Sequence, residues 1–143
     1  MLTVSIQTIT LLLQIAFWVG AVTDGLAVIP MLSRRIGAAL FGGDSNRNNM
    51  ESRFAWGVGA ALMAGWTLLL LWGAASPIAR RDILLLTVFP VITGIVLTTV
   101  VAARRGLISL SRTIPLWIHL GLVSMFYIMV YILSIPFAQS GAK

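Results

Sequence analysis

Apolar residues in this chain fall into long runs, separated by short clusters of arginine, glycine, proline and asparagine. A membrane-crossing helix needs about 20 predominantly apolar residues, and the runs at 3–32, 54–75, 83–103 and 116–137 each meet that length. None alternates with period two, so helices are expected rather than barrel strands. The short connections force consecutive helices to run antiparallel. The pattern predicts an all-α integral membrane protein with one membrane domain, an antiparallel four-transmembrane-helix bundle running up-down-up-down. Asp82 is placed to cap the third helix and Pro115 to occupy the first turn of the fourth. Between the first two helices, segment 34–41 sets Ile36, Leu40 and Phe41 beside two arginines and suits the membrane interface.

The polar positions inside the runs are also patterned. In the first helix, Thr3, Gln7, Thr10, Gln14, Phe17, Ala21, Asp24 and Val28 follow steps of four and three, which puts them on one face. That face is expected to turn inward, toward protein or water. Gly57, Ala61 and Gly65 form a small-residue ladder on the second helix, and Thr87, Pro90, Gly94 and Thr98 a stripe on the third. Gly57, Ala61, Gly65 and Gly94 are therefore expected to pack helices closely. Pro90 leaves one carbonyl without its usual donor, which Thr87 or a neighbouring helix is placed to answer. The fourth helix carries Ser124, Tyr127, Tyr131 and Ser134 on one stripe. Such residues are the ordinary means of packing membrane helices, so the stripes do not by themselves imply a pore.

Composition agrees with lipid as the solvent. Apolar residues make up 59% of the 143 and charged ones only 10%, whereas soluble domains average about 25% charged. Mean hydropathy is +0.98. The net charge of +6 comes from basic residues clustered between the runs, with no continuous basic face, so no nucleic-acid partner is expected. Their distribution predicts orientation instead. Arg34, Arg35, Arg47, Arg53, Arg104, Arg105 and Arg112 share one side, against Arg80, Arg81 and Lys143 on the other. The first and third loops are expected in the cytoplasm and both termini outside it, with a prokaryotic plasma membrane as the default location. Trp56 and Trp117 fall at the cytoplasmic boundary and Trp72 at the opposite one. The N-terminal run lacks a basic leader region and a convincing small-residue cleavage site, and is read as a retained helix.

Much chemistry is excluded. There is no cysteine, so thiol redox, thiolate metal sites and disulfides are out. A single histidine rules out bis-histidine haem, and the scattered acids offer no metal site. No phosphate-binding glycine motif is present, and no cofactor is predicted. One group stands apart. Asp24 lies ten residues before Arg34, roughly 15 Å into the bilayer at 1.5 Å per residue, too deep for so short a side chain to reach water by snorkelling. No Lys or Arg occupies the apolar centre of any run, so Asp24 is expected to meet a hydroxyl or a polar cavity. Thr93, Ser124, Tyr127 and Tyr131 are the candidates to share its site, and His119 is a proton partner only if helix offsets close the gap.

Three readings follow. The first is a structural or accessory membrane protein whose partners are membrane lipids and a homo-oligomer or larger membrane complex. The second is an oligomeric small-molecule or ion permease or channel using the intramembrane Asp24. The third is an enzyme or binding protein for a small lipid-soluble ligand, with Asp24, Tyr127 and Tyr131 lining the pocket. Four-helix topology does not choose among them.

Overall fold

The computed structural model describes residues 5–33, 35–36, 50–106, 108 and 110–140. Among the described residues there is no strand, and four helices are long and apolar enough to cross a membrane. The protein is a small polytopic membrane protein built as a four-helix bundle. Helix α1 spans Ile6–Leu32, α2 Met50–Ala74 and α4 Leu110–Ser140. Helix α3, Asp82–Arg104, joins an α-helical turn Asp82–Leu86, a π-helical stretch Thr87–Ile92 and a second α-helix Thr93–Arg104. The interfacial segment expected at 34–41 lies outside the described residues, except that Arg35 and Ile36 are helical and exposed.

The helix ends differ from the pattern-based boundaries for local reasons. Ser5 is extended and its Oγ accepts the Thr8 amide at 3.2 Å, which starts α1 at Ile6. Helix α2 begins four residues before its apolar run, because hydropathy marks the edge of lipid and not the edge of helix. Arg81, not Asp82, holds the cap position of α3, and it makes no side-chain cap. Asp82 stands in the first turn, where its charge complements the helix dipole. Pro115 lies five residues after Leu110, beyond the first turn of α4. At the other end of α3, Gly106 takes φ +69°, a left-handed conformation suited to glycine, and its amide bonds Ala103 O at 3.0 Å.

The core forms where α1 meets α2 and α4. Ile9, Leu13, Ala16, Phe17, Gly20 and Ala21 recur by threes and fours and are buried on one face of α1. Phe17 lies against Gly73, Gly25 beside Thr67, and Met31 beside Gly59. Residue numbers rise along α1 as they fall along α2, so the two helices are antiparallel. Leu70 joins this core from α2, Leu84 and Val88 from α3, and Leu120, Tyr127 and Val130 from α4. The inward turn expected of the α1 polar face is only partial. Phe17 and Ala21 are buried and Asp24 is half-buried, but Gln7 and Gln14 are exposed. The stripe drifts because steps averaging 3.5 residues precess around a helix of 3.6 per turn.

Two indole donors tie helices together by way of threonines. Trp66 Nε1 donates to Thr87 Oγ1 at 3.2 Å, linking α2 to α3, and Trp117 Nε1 donates to Thr99 Oγ1 at 2.9 Å, linking α4 to α3. Pro90 has no amide hydrogen, and the ladder around it widens to the π-helical pattern. Thr93 Oγ1 then donates to Val88 O at 3.0 Å. Thr87, expected to answer the proline, instead donates to Ile83 O at 2.8 Å while accepting from Trp66.

Without a hydrophobic force between helices in lipid, the closeness of these contacts decides stability. A Cβ at Gly73 would collide with the Phe17 ring, with Cδ1 and Cζ both at 2.8 Å. A Cβ at Gly20 would collide with the Tyr127 hydroxyl and stand 3.0 Å from Leu70 Cδ1. Gly73→Ala is expected to destabilise the bundle by about 1–3 kcal/mol in detergent unfolding. Gly65→Ala, where nothing lies within 4 Å, is expected to leave stability unchanged or raise it by up to about 1 kcal/mol.

Candidate functional site

An acid inside a membrane span carries a large penalty unless something compensates it, so the site is built outward from Asp24. Asp24 lies one helical turn beyond Gly20 on α1, toward the Arg35 end. The missing side chain at Gly20 lets α4 bring Tyr127 directly over the α1 backbone. Tyr127 is 1% exposed, and its hydroxyl packs against Gly20, one turn before Asp24 on α1. It sits ten residues from the Phe137 end of its span, about 15 Å at 1.5 Å per residue, so the pair is deep in the bilayer.

Neither group is satisfied by the chain. Asp24 Oδ2 and the Tyr127 hydroxyl are both enclosed, and neither has a hydrogen-bond partner among the described residues. Most buried polar groups find a partner, so two such atoms in one place are a departure that marks a site. The nearby α2 contact is Thr67, whose hydroxyl donates to Met63 O at 2.9 Å and so is turned back onto its own helix. Ser134, on the same stripe of α4, likewise donates to Tyr131 O at 2.6 Å.

The other candidate residues lie elsewhere. Thr93 and Ser124 line a groove of about 410 Å³ between α3 and α4, with Val88, Ile92, Trp117 and Gly121. The groove is almost wholly apolar, and Asp24, Tyr127 and Tyr131 do not line it. Tyr131 belongs to the opposite end of the bundle from Arg35, where the Arg81 guanidinium sits 5.6 Å above its ring. His119 is exposed on α4 and is not brought to Asp24. Gly57, Ala61 and Gly65 are exposed on α2, and nothing lies within 4 Å of where a Cβ would stand on Gly57, Gly65 or Gly94. The chain's own close helix contacts use Gly20 and Gly73 instead.

Sequence reasoning did not single out Arg81. Its Nε and Nη1 are enclosed without hydrogen-bond partners, and Nε lies 3.9 Å from Asp82 Oδ1. A guanidinium folded inward at the end of a span leaves no pattern in the sequence beyond an arginine in a turn. Its neighbour Arg80 shows the ordinary interfacial arrangement: the guanidinium stacks 3.6 Å from the Trp72 ring centre and donates to Trp72 O. Among the described residues no three His, Asp or Glu side chains gather in one place. No family model matches the chain, and no curated protein or solved structure matches it.

Because Asp24 Oδ2 makes no hydrogen bond among the described residues, its replacement by an amide of the same shape removes no bond seen to hold the bundle together. Asp24→Asn is expected to unfold in detergent within about 0.5 kcal/mol of the parent, whereas loss of a charge-assisted bond costs about 1.5–3 kcal/mol. A fall of that larger size would mean that the carboxyl is a structural lock.

Proposed function

We propose that the protein is a structural or accessory membrane subunit that associates laterally through α2, with a second copy or within a larger complex. The observation that carries this reading is the outward placement of Gly57, Ala61 and Gly65. Small residues spaced by four let two helix backbones approach closely, and among the described residues no helix covers them. Helix α2 is also the least covered span, with 11% of its most apolar window buried against 28% for α1 and α3. Phe54 and Leu68, 77% and 67% exposed, share the ladder's face and extend the surface that a partner helix would cover. Van der Waals packing across such a face is the main source of association in lipid, where apolar side chains gain nothing from leaving water.

The same reading puts both termini on the non-cytoplasmic side of a prokaryotic plasma membrane, with the arginine-rich first and third loops in the cytoplasm. The arginines then hold the orientation that presents α2 to its partner, and their charge suits anionic headgroups.

Two outcomes are expected. Gly57→Leu and Gly65→Leu point into open space and should leave the fold intact while abolishing self-association, measured by energy transfer between labelled copies in liposomes. Gly121→Leu, also in open space but on α4, should leave association unchanged. A reporter fused to the C-terminus and active only outside the cytoplasm should be active; activity only in the cytoplasm would reverse the orientation.

A further inference from the structure

Asp24 and Tyr127 do nothing for lateral association, yet the fold brings them together at depth. The carboxyl has one enclosed, unbonded oxygen, and an enclosed, unbonded phenol packs over Gly20, one turn away along α1. A phenol is the natural complement of a carboxyl in either form, since it donates to a carboxylate and accepts from a carboxylic acid. Among the described residues no basic group forms an ion pair with Asp24. On α4 the titratable neighbour is Tyr127, while His119 is exposed. On α2 the residues nearest this stretch of α1 are Thr67 and Leu70, which do not titrate. Helix α3 packs on α4 and meets α2 at Trp66, and its titratable residues Asp82 and Arg104 stand at its two ends.

A carboxylate at this depth needs a positive charge to neutralise it, and two kinds of ion could supply one. An alkali or divalent ion requires several oxygens around it; Ca²⁺, for instance, takes about 6–8. Among the described residues the side-chain oxygens near this stretch of α1 are the carboxyl, the phenol and the Thr67 hydroxyl, fewer than such a shell needs. A proton needs one oxygen. We propose that Asp24 is an exchangeable proton-binding site within the membrane, with Tyr127 as its positioning residue. The proton passes from water to a carboxylate oxygen and returns to water, with no other bond made or broken. Asp24 is half-buried, with Oδ2 enclosed and the remainder of the residue partly open at the bundle surface, so a lipid-soluble reagent can approach it.

The test uses dicyclohexylcarbodiimide, a lipid-soluble reagent that reacts with protonated carboxyls, on the intact protein in liposomes. Adducts are located by peptide mass mapping, and a water-soluble carbodiimide is added to account for the exposed Asp82. An adduct at Asp24 is expected, formed more slowly as the buffer is made alkaline and unaffected by sodium. Asp24→Asn should remove it. Tyr127→Phe should keep the adduct but shift the midpoint of its pH profile, which a purely space-filling tyrosine would not do. Absence of the adduct at acidic pH, or a rate that does not change with pH, would overturn the proposal. Protection by sodium would overturn it in favour of a metal-ion site.

Discussion

Lipid offers a helix surface no reason to leave it, so the bundle depends on contacts too close for lipid chains to match. Here those contacts are an aromatic ring set against a glycine. Phe17 of α1 fills the place where Gly73 of α2 lacks a side chain, and Tyr127 of α4 does the same over Gly20 of α1. Both rings are enclosed, and both contacts involve α1, which is thereby held by α2 on one side and α4 on the other. Helix α3 is attached differently, by threonines that accept from Trp66 and Trp117. Such interhelical hydrogen bonds average about 0.6 kcal/mol in a membrane, so α1 is the better fixed of the two.

The same packing creates the candidate site. Tyr127 cannot reach its position unless residue 20 is glycine, and once there its hydroxyl packs one turn before the acid on α1. Most other hydroxyls in the spans are turned back onto carbonyls of their own helices, as Thr10, Thr23, Thr67 and Thr98 are. Those side chains make the backbone locally self-sufficient and need no partner. Asp24 cannot do this with its carboxylate, which accepts hydrogen bonds and has none to give to a carbonyl. Among the described residues the enclosed side-chain polar atoms left without a partner are those of Asp24 and Tyr127 within the spans and of Arg81 at their end.

Much of this architecture can be read from residues alone, and the failures have specific causes. Runs of apolar residues located the four spans, because lipid thickness sets their length. Asp24 stood out because an acid in such a run is costly. The direction in which a stripe faces is a different matter. Spacing shows that Gly57, Ala61 and Gly65 share a face, but in a helix apolar on all sides nothing says whether that face looks inward. Gln7 and Gln14 misled for a related reason: polarity alone suggested the interior, while the tighter packing of Ile9 and Leu13 took that side of α1. Pro90 signalled a disturbed helix, yet the π-helical answer and the use of Thr93 depend on the carbonyl geometry around it. The pairing of Tyr127 with Asp24 required knowing that Gly20 is the point of close approach.

The Phe17–Gly73 contact sets how closely α1 and α2 pack. A double-mutant cycle measures it directly, with Gly73→Ala and Phe17→Ala made singly and together and unfolding followed in detergent. If the ring and the missing side chain occupy each other's space, Gly73→Ala costs little once Phe17 is alanine, giving a coupling energy of about 1–3 kcal/mol. Costs that simply add, with no coupling, would mean that the two residues do not meet and that another contact holds α1 in place.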